Sequence, residues 1–475
     1  MGNHQDSGDR KLRVIFLSII AAIGGFLFGF DSGVINGTVD ALQQAFDSDA
    51  AGTGFNVASM LLGCAAGAFF AGNVTDKFGR KPVMIFTAIA FIISAYGSGI
   101  AGSSGEFVMF RILGGLAVGA ASVITPAYIG EISPARYRGA VMSIQQLAIV
   151  LGLFVAFLSN YIIADLAGAS TEILWWGYGA WQWMFWMEII PASVYLIALM
   201  FIPESPRYLV AAGKYEKASQ VLASLSSTLD VKAKVEEIKQ TVFAERKPRM
   251  SDIISRKTGW LHPIVFAGIG IAMLQQFTGI NVVFYYGAVL WQAVGFSEAD
   301  ALLTNVINGS VFVIFTFVAI ALVDRVGRKM LLMIGGLGQA FMLAFVALIF
   351  GFAAEGDAGT LELTGTEGVL ALIAANGFVA FFAFTWGPIM WVMLGEMFPN
   401  RFRGAALAVC GLGQWGGNFL VTMTFPLLLN SIGLGFSYGI YAFFGIVAFL
   451  FVKQFIVETK GRTLEEISSD YDEKV

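Results

Sequence analysis

The sequence predicts an all-α integral membrane protein, on three observations. Of 475 residues, 57% are hydrophobic and only 13% charged, long apolar runs recur from end to end, and the basic residues gather in alternate connections. Average soluble domains carry about 25% charged residues, so this balance belongs to a chain whose solvent is lipid. A hydrocarbon core of about 30 Å needs roughly 17–25 mostly apolar residues per spanning helix, and about twelve such runs are present.

The polar start MGNHQDSGDRKLR leads into a run near 14–34 that lacks a small-residue cleavage site, so it is expected to be a retained helix rather than a signal peptide. Its end, GFDSGVING (29–37), sets Asp31 at membrane depth and repeats glycine at Gly29, Gly33 and Gly37, a spacing that lets another helix approach closely. Further spans are expected near 55–72, 82–101, 107–129, 140–162 and 182–202. Residues 203–258 are charged and weakly amphipathic, expected as several short helices outside the bilayer. Six more spans follow near 262–290, 302–323, 329–352, 369–394, 404–428 and 433–456. The expected organisation is an N-terminal six-helix bundle (1–202), a helical linker domain (203–258), a C-terminal six-helix bundle (259–456) and a tail (457–475).

All but one of the 29 Lys and Arg residues lie in the termini or in connections after even-numbered spans, which predicts that both termini are cytoplasmic. The exception is Arg111, near the outer start of the fourth span. Cys64 and Cys410 both fall inside spans, so no structural disulfide is expected.

The two halves repeat. DKFGRK (76–81) after the second span is echoed by DRVGRK (324–329) after the eighth, and EISPARYRG (131–139) after the fourth by EMFPNRFRG (396–404) after the tenth. Such internal repeats mark transporter folds. Asp76, Arg80, Glu131 and Arg138 in one half, with Asp324, Arg328, Glu396 and Arg403 in the other, are expected to form charge networks that make and break as the halves rock. Simple anchoring of helix ends at the headgroups is the alternative.

These motifs, together with PESPRYL (203–209, with Glu204 and Arg207), QQFTGIN (275–281), GPIMW (387–391) and VETKGRTLEEI (457–467), resemble the sugar porter family of the major facilitator superfamily over nearly the whole chain. That family includes bacterial proton-coupled xylose, galactose and glucose symporters and facilitative glucose transporters. The resemblance implies two six-helix bundles around a central sugar site, alternating access, and an intracellular helical domain between the bundles.

A sugar needs amides for its hydroxyls and an aromatic ring for its CH face. Within spans the chain offers Gln146, Gln275, Gln276, Asn281, Asn308, Trp386, Trp391, Gln414, Trp415 and Asn418. Helix-packing glue is the other use of such amides; the resemblance carries these positions over as sugar contacts. One position departs: where many relatives carry a sugar-binding Asn in the eighth span this chain has Phe312, with Asn308 one turn earlier.

No GxxxxGK[ST] loop occurs, which disfavours a nucleotide-driven pump, and the only histidines, His4 and His262, form no metal-ligand cluster. An ion gradient or no drive remains. Asp31, Arg111 and Glu188 are ionisable residues in N-terminal spans, each costing roughly 2.5–3.5 kcal/mol at a helix centre, and are functional candidates on that ground. They form either a static Asp31–Arg111 pair or a proton switch, and the resemblance favours the switch, because passive relatives tend to carry a neutral amide at the Asp31 position. The expected function is import of a hexose or pentose with protons. A facilitative uniporter is the alternative, with a sugar sensor as the competitor outside transport. No enzyme activity, cofactor, metal or nucleic-acid partner is expected, and the chain is expected to act as a monomer in a bacterial plasma membrane.

Overall fold

The computed structural model describes residues 2–133, 138–225, 230–244, 250–254, 259–355, 361–399 and 401–462. The side chain of Arg138 and the end of the C-terminal motif, 463–467, lie outside the described residues.

Among the described residues, eleven helices are long and apolar enough to span a membrane. The last of them, Arg403–Phe455, has non-helical backbone at Gly433 (φ 78°, ψ 173°), so it comprises two spans and the expected twelve are present. In order the others are Leu12–Gly37, Ala50–Phe78, Arg80–Ile100, Ser104–Ile132, Ser143–Ala167, Ala180–Phe201, Pro263–Gln292, Glu298–Val326, Arg328–Phe352 and Gly365–Met397. They make the two six-helix bundles of the major facilitator fold. The linker carries short helices Pro206–Ala211, Tyr215–Leu225 and Val231–Ala244.

Local sequence explains the helix starts. At the end away from the basic motifs, Asp49, Ser103, Ser297 and Thr364 each accept a main-chain N–H in the first turn of the second, fourth, eighth and tenth spans. At the basic end, the third and ninth spans instead follow Gly79 (φ 97°) and Gly327 (φ 101°), a backbone region that glycine enters without penalty.

The first span packs along the fifth so closely that a Cβ on Gly29 would sit 1.9 Å from the Ile149 carbonyl oxygen. The halves meet where the second span touches the eleventh, Gly54 against Met423, and where the eighth touches the fifth, Gly309 against Phe154 and Phe157.

Three spans expected as continuous are broken. The sixth divides at Met187–Glu188 between helices Ala180–Trp186 and Ile189–Phe201, the seventh at Thr278–Gly279 (Gly279 φ 81°), and the tenth at Thr385. Each break has Gly or Pro within a few residues, in MEIIP, FTGI and FTWGP. Broken spans bring polar main chain to membrane depth, which is tolerated where protein or a cavity surrounds it.

Candidate functional site

Asp31 in the first span, Arg111 in the fourth and Glu188 at the break in the sixth are each 1% exposed. Arg111 Nη1 donates to Asp31 Oδ1, while Nη2 donates to the Asp31 main-chain oxygen at 3.2 Å and lies 2.8 Å from Met60 Sδ. The guanidinium also sits 5.6 Å from the Phe185 ring centroid. Glu188 lies beside Asp31 and within the field of Arg111. Asp31 Oδ2 and Glu188 Oε1 have no hydrogen-bond partner of good geometry. The fourth span comes this near because residue 114 is glycine: a Cβ there would be 2.4 Å from Ser94 Oγ and 3.2 Å from Asp31 Oδ2. The site therefore holds two carboxyl groups against one guanidinium, all three side chains buried.

The amides at the breaks in the seventh and tenth spans form a relay. Asn281 Nδ2 donates to Gln276 Oε1, Gln276 Nε2 to Gln275 Oε1 at 3.0 Å, and Gln275 Nε2 to the Trp386 carbonyl oxygen at 2.8 Å. Asn418 is occupied by Tyr285 at 3.4 Å and Thr422 at 3.0 Å. In contrast, Gln414 Oε1 and both amide atoms of Asn308 are buried without a partner among the described residues. Leaving such a group unsatisfied costs about 1–3 kcal/mol, so these are the places where a hydroxyl-bearing ligand gains most.

The aromatic candidates separate. Trp386 is fully buried with its Nε1 bonded to the Leu332 oxygen at 2.9 Å, so its ring belongs to the packing between the ninth and tenth spans rather than to an open stacking face. Trp391 is 43% exposed. Trp415 is buried against Phe28 across the halves, ring centroids 5.9 Å apart. Phe312 stands in an aromatic series that links the halves, Phe157 to Phe284 to Phe312 to Phe382, at 6.3, 5.2 and 6.2 Å.

Gln146 is half-buried, and the structure adds its neighbour Gln145, buried over Gly25 with both amide atoms unpartnered. The doubled amide QQ at 145–146 was the signal for it.

At the basic end the repeated motifs build two matching networks. Arg80 Nη2 pairs with Glu131 at 2.9 Å and its Nη1 with Asp76 at 3.6 Å; Arg328 binds Glu396 through Nε and Nη2 at 3.0 and 2.8 Å and Asp324 at 3.0 Å. Arg403 is turned to the Phe398 oxygen at 3.1 Å, and Arg207 has partners of its own.

Glu204 Oε1 accepts the main-chain N–H groups of Arg80 and Ser205, at 3.0 and 2.7 Å, and Ser205 Oγ donates to Glu131. Glu458 does the same for Arg328, Lys329 and Thr459, at 2.9, 3.0 and 3.0 Å, and Thr459 Oγ1 donates to Glu396 at 2.6 Å. Glu458 and Thr459 were not among the expected site residues; the signal is the echo of PES (203–205) in VET (457–459).

At the opposite end the halves are joined. Asn36 Nδ2 donates to the Phe284 oxygen at 2.8 Å, and its Oδ1 accepts from the Ala288 N–H at 3.2 Å and from Asn305 Nδ2 at 2.8 Å. Gln292 Nε2 donates to Asp40 Oδ2 at 2.7 Å, and the Ser170 N–H to Glu298 Oε1 at 2.9 Å. A cavity of about 500 Å³ lies here between Asp40 and Gln43 on one side and Gln292 and Glu298 on the other. Burial pushes the Asp40 carboxyl above its ordinary range, the Gln292 hydrogen bond opposes that shift, and nearby Glu298 adds to it.

The family described as "Sugar (and other) transporter" matches residues 17–471. The chain is 50% identical over 455 residues to the glucose transport protein of Synechocystis sp., covering 96% of this chain and 97% of that one. It is 37% identical over 488 residues to the D-xylose-proton symporter of Escherichia coli K12, covering 96% and 95%. The inward-open structure of the xylose transporter XylE from E. coli is similar to it with a TM-score of 0.82 at 35% identity, covering 96% of this chain and 99% of that chain.

Proposed function

We propose that this chain, which belongs to the sugar transporter family of the major facilitator superfamily, imports a monosaccharide together with protons by alternating access. That it is a multi-pass sugar transporter and no enzyme follows from the family and the fold.

The observation that carries the coupling is the buried set of Asp31, Arg111 and Glu188. With all three ionised it bears one net negative charge in a site where an uncompensated charge costs several kcal/mol. One bound proton makes it neutral. A change in the Asp31–Arg111 distance within the N-terminal half, or in the hydration of Asp31, during alternating access frees a second carboxylate to take up or release a proton, so the set exchanges protons in step with access. The relative named a proton symporter supports this reading.

A hexose of the glucose type is the first candidate substrate, supported by the name of the relative that shares half of its residues. Gln145, Gln146, Gln275, Gln276, Asn281, Asn308, Gln414 and Asn418 supply its hydroxyl partners, and Trp391 and Trp415 supply ring faces. The positive-inside distribution places both termini and the repeated motifs in the cytoplasm. On that orientation, the hydrogen bonds at Asn36, Asp40 and Glu298 join the halves on the outer side.

In sealed vesicles containing the protein, an imposed inward proton gradient is expected to drive glucose above equilibrium, and collapse of the gradient by a protonophore to release the excess. Uptake that only equilibrates under the gradient makes the chain a uniporter, with Asp31–Arg111 a static pair.

A further inference from the structure

The connection between the fifth and sixth spans folds into a short antiparallel hairpin, Ile173–Trp175 with Tyr178–Gly179. Trp176 (φ 57°) and Gly177 (φ 82°) make its turn. A left-handed backbone is normal for the glycine and unfavourable for a tryptophan, yet the chain places its most exposed tryptophan there, 85% open. Ile173 is 68% exposed, and Trp175 and Tyr178 are also open.

The rings form a ladder onto the spans. Trp183 contacts Trp175 and Trp176, each at 5.3 Å, and Trp186 at 5.1 Å; Trp186 contacts Tyr178 at 4.9 Å and Tyr96 of the third span at 6.3 Å. Trp186 Nε1 donates to the Tyr96 oxygen at 3.2 Å. Beyond Tyr96 the apolar exposure continues along the same face of the third span through Ile93 and Ile89.

The hairpin is bolted down. Ala180 N–H donates to the Glu172 oxygen at 2.8 Å, Gly179 N–H to Gln182 Oε1 at 2.7 Å, and Gln182 Nε2 to the Gly99 oxygen at 2.6 Å. Its rings are held at a fixed height relative to the third and sixth spans, so it does not swing as a lid.

We propose that this hairpin is a membrane anchor whose partner is the lipid surface, with Ile173, Trp175, Trp176 and Tyr178 seated at the headgroup–acyl boundary of the outer leaflet. The aromatic ladder runs without interruption into the flank that faces lipid, and Trp and Tyr settle at that boundary because their rings are apolar with one polar edge. No Lys or Arg occurs between residues 139 and 206, so no basic side chain draws the hairpin to anionic headgroups and the attraction is apolar. Anchoring here holds the outer half of the sixth span, and the break bearing Glu188 just beyond it, at constant depth while the halves rock. The proposal rests on the transport reading only for which leaflet is met.

The full chain is placed in bilayers of phosphatidylcholine brominated either high or low on its acyl chains, and the emission of wild type is compared with that of Trp176→Phe. The difference reports Trp176 together with its effect on the Trp183 ring it touches, both on the same ladder. It is expected to be quenched strongly by the high-brominated lipid, weakly by the low-brominated one and hardly by aqueous iodide, with no change when anionic lipid or salt is added. Quenching by iodide with none from brominated lipid overturns the anchor. Protection from iodide by glucose or a maltose oligomer overturns it in favour of a sugar-stacking platform. Trp175→Phe repeats the comparison one residue along should Trp176→Phe express poorly. None of these readouts depends on transport, so failure of proton coupling leaves the result intact.

Discussion

Asn36 of the first span and Asn305 of the eighth share a 2.8 Å hydrogen bond across the two halves, both side chains 1% exposed. Asn36 also holds the Phe284 oxygen and the Ala288 N–H, so one side chain ties the 3₁₀ turn Ile35–Gly37 to two spans of the other half. At about 0.5–1.5 kcal/mol for each net hydrogen bond, Asn36→Ala is expected to shift the equilibrium at least about tenfold toward outer opening. The check is labelling of a Phe284→Cys variant by an impermeant thiol reagent, where the buried Cys64 and Cys410 keep the background low. Unchanged labelling would show that the tie does not hold the outer side shut.

Asp31→Asn is expected to abolish gradient-driven accumulation while sugar exchange between equal concentrations continues. The amide keeps the volume and a hydrogen bond to Arg111 but cannot release a proton. Glu188→Gln is expected to retain exchange too and to flatten its dependence on pH. Accumulation intact in Asp31→Asn excludes that carboxyl as the obligatory carrier.

Glu204→Gln and Glu458→Gln are expected to have similar effects, since the two carboxylates take matching positions at the starts of the third and ninth spans. A hydrogen bond to a charged group contributes about 1.5–3 kcal/mol. Each variant should therefore lower the melting temperature measurably, and the double variant should show the sum because the sites lie in different halves. A neutral Glu458→Gln would leave the symmetry without energetic meaning.

The sequence carried the spans and the repeat, because apolar length and charge position are strong one-dimensional signals. The breaks in the sixth, seventh and tenth spans were not foreseen: hydropathy averages over Met187–Glu188, Thr278–Gly279 and Thr385, and only a Gly or Pro nearby hints at them. Arg111 was named, but its approach to Asp31 depends on a glycine at 114 that no local pattern distinguishes from the other small residues of its span. Trp386 and Trp391 look alike at the two ends of WGPIMW (386–391), yet a five-residue separation turns one into the bundle and leaves the other open. Glu458 is hard to read because VET (457–459) matches PES (203–205) only in the acid and the hydroxyl that follows it.

The outer rim should respond to pH through Asp40. Its carboxyl is raised above 3.8 by burial and by Glu298 in the closed arrangement, so the closed rim binds a proton more tightly than an open, hydrated one. Closure is accordingly favoured at low pH and weakens as pH climbs from about 3.8 through the raised value, where an ionised Asp40 must be held beside Glu298. Labelling of Phe284→Cys, after division by the rise in thiolate reactivity of a freely exposed cysteine over the same pH range, should increase over that interval, and Asp40→Asn, which resembles the protonated acid, should suppress the increase. The same rise with Asp40→Asn assigns the response to another group.

Asn308 offers the sharpest separation of stability from function. Its amide is 1% exposed and neither atom has a partner, which costs the folded chain about 1–3 kcal/mol. A sugar hydroxyl placed there would receive and give hydrogen bonds that nothing else in the protein supplies. Asn308→Ala removes the unsatisfied pair at the expense of a small cavity, so the melting temperature without sugar should hold or rise. Sugar affinity should fall roughly tenfold, as the loss of about 1.4 kcal/mol predicts. Phe312, one turn further along, leaves the ring packing intact in that variant, so the loss would belong to the amide alone. Binding titrations with glucose, galactose, fructose and xylose on both forms would also show which hydroxyl is read, since the sugar that does not use Asn308 loses nothing. Equal affinity for all four sugars in the variant and the parent would remove Asn308 from the site and leave its empty amide to helix packing.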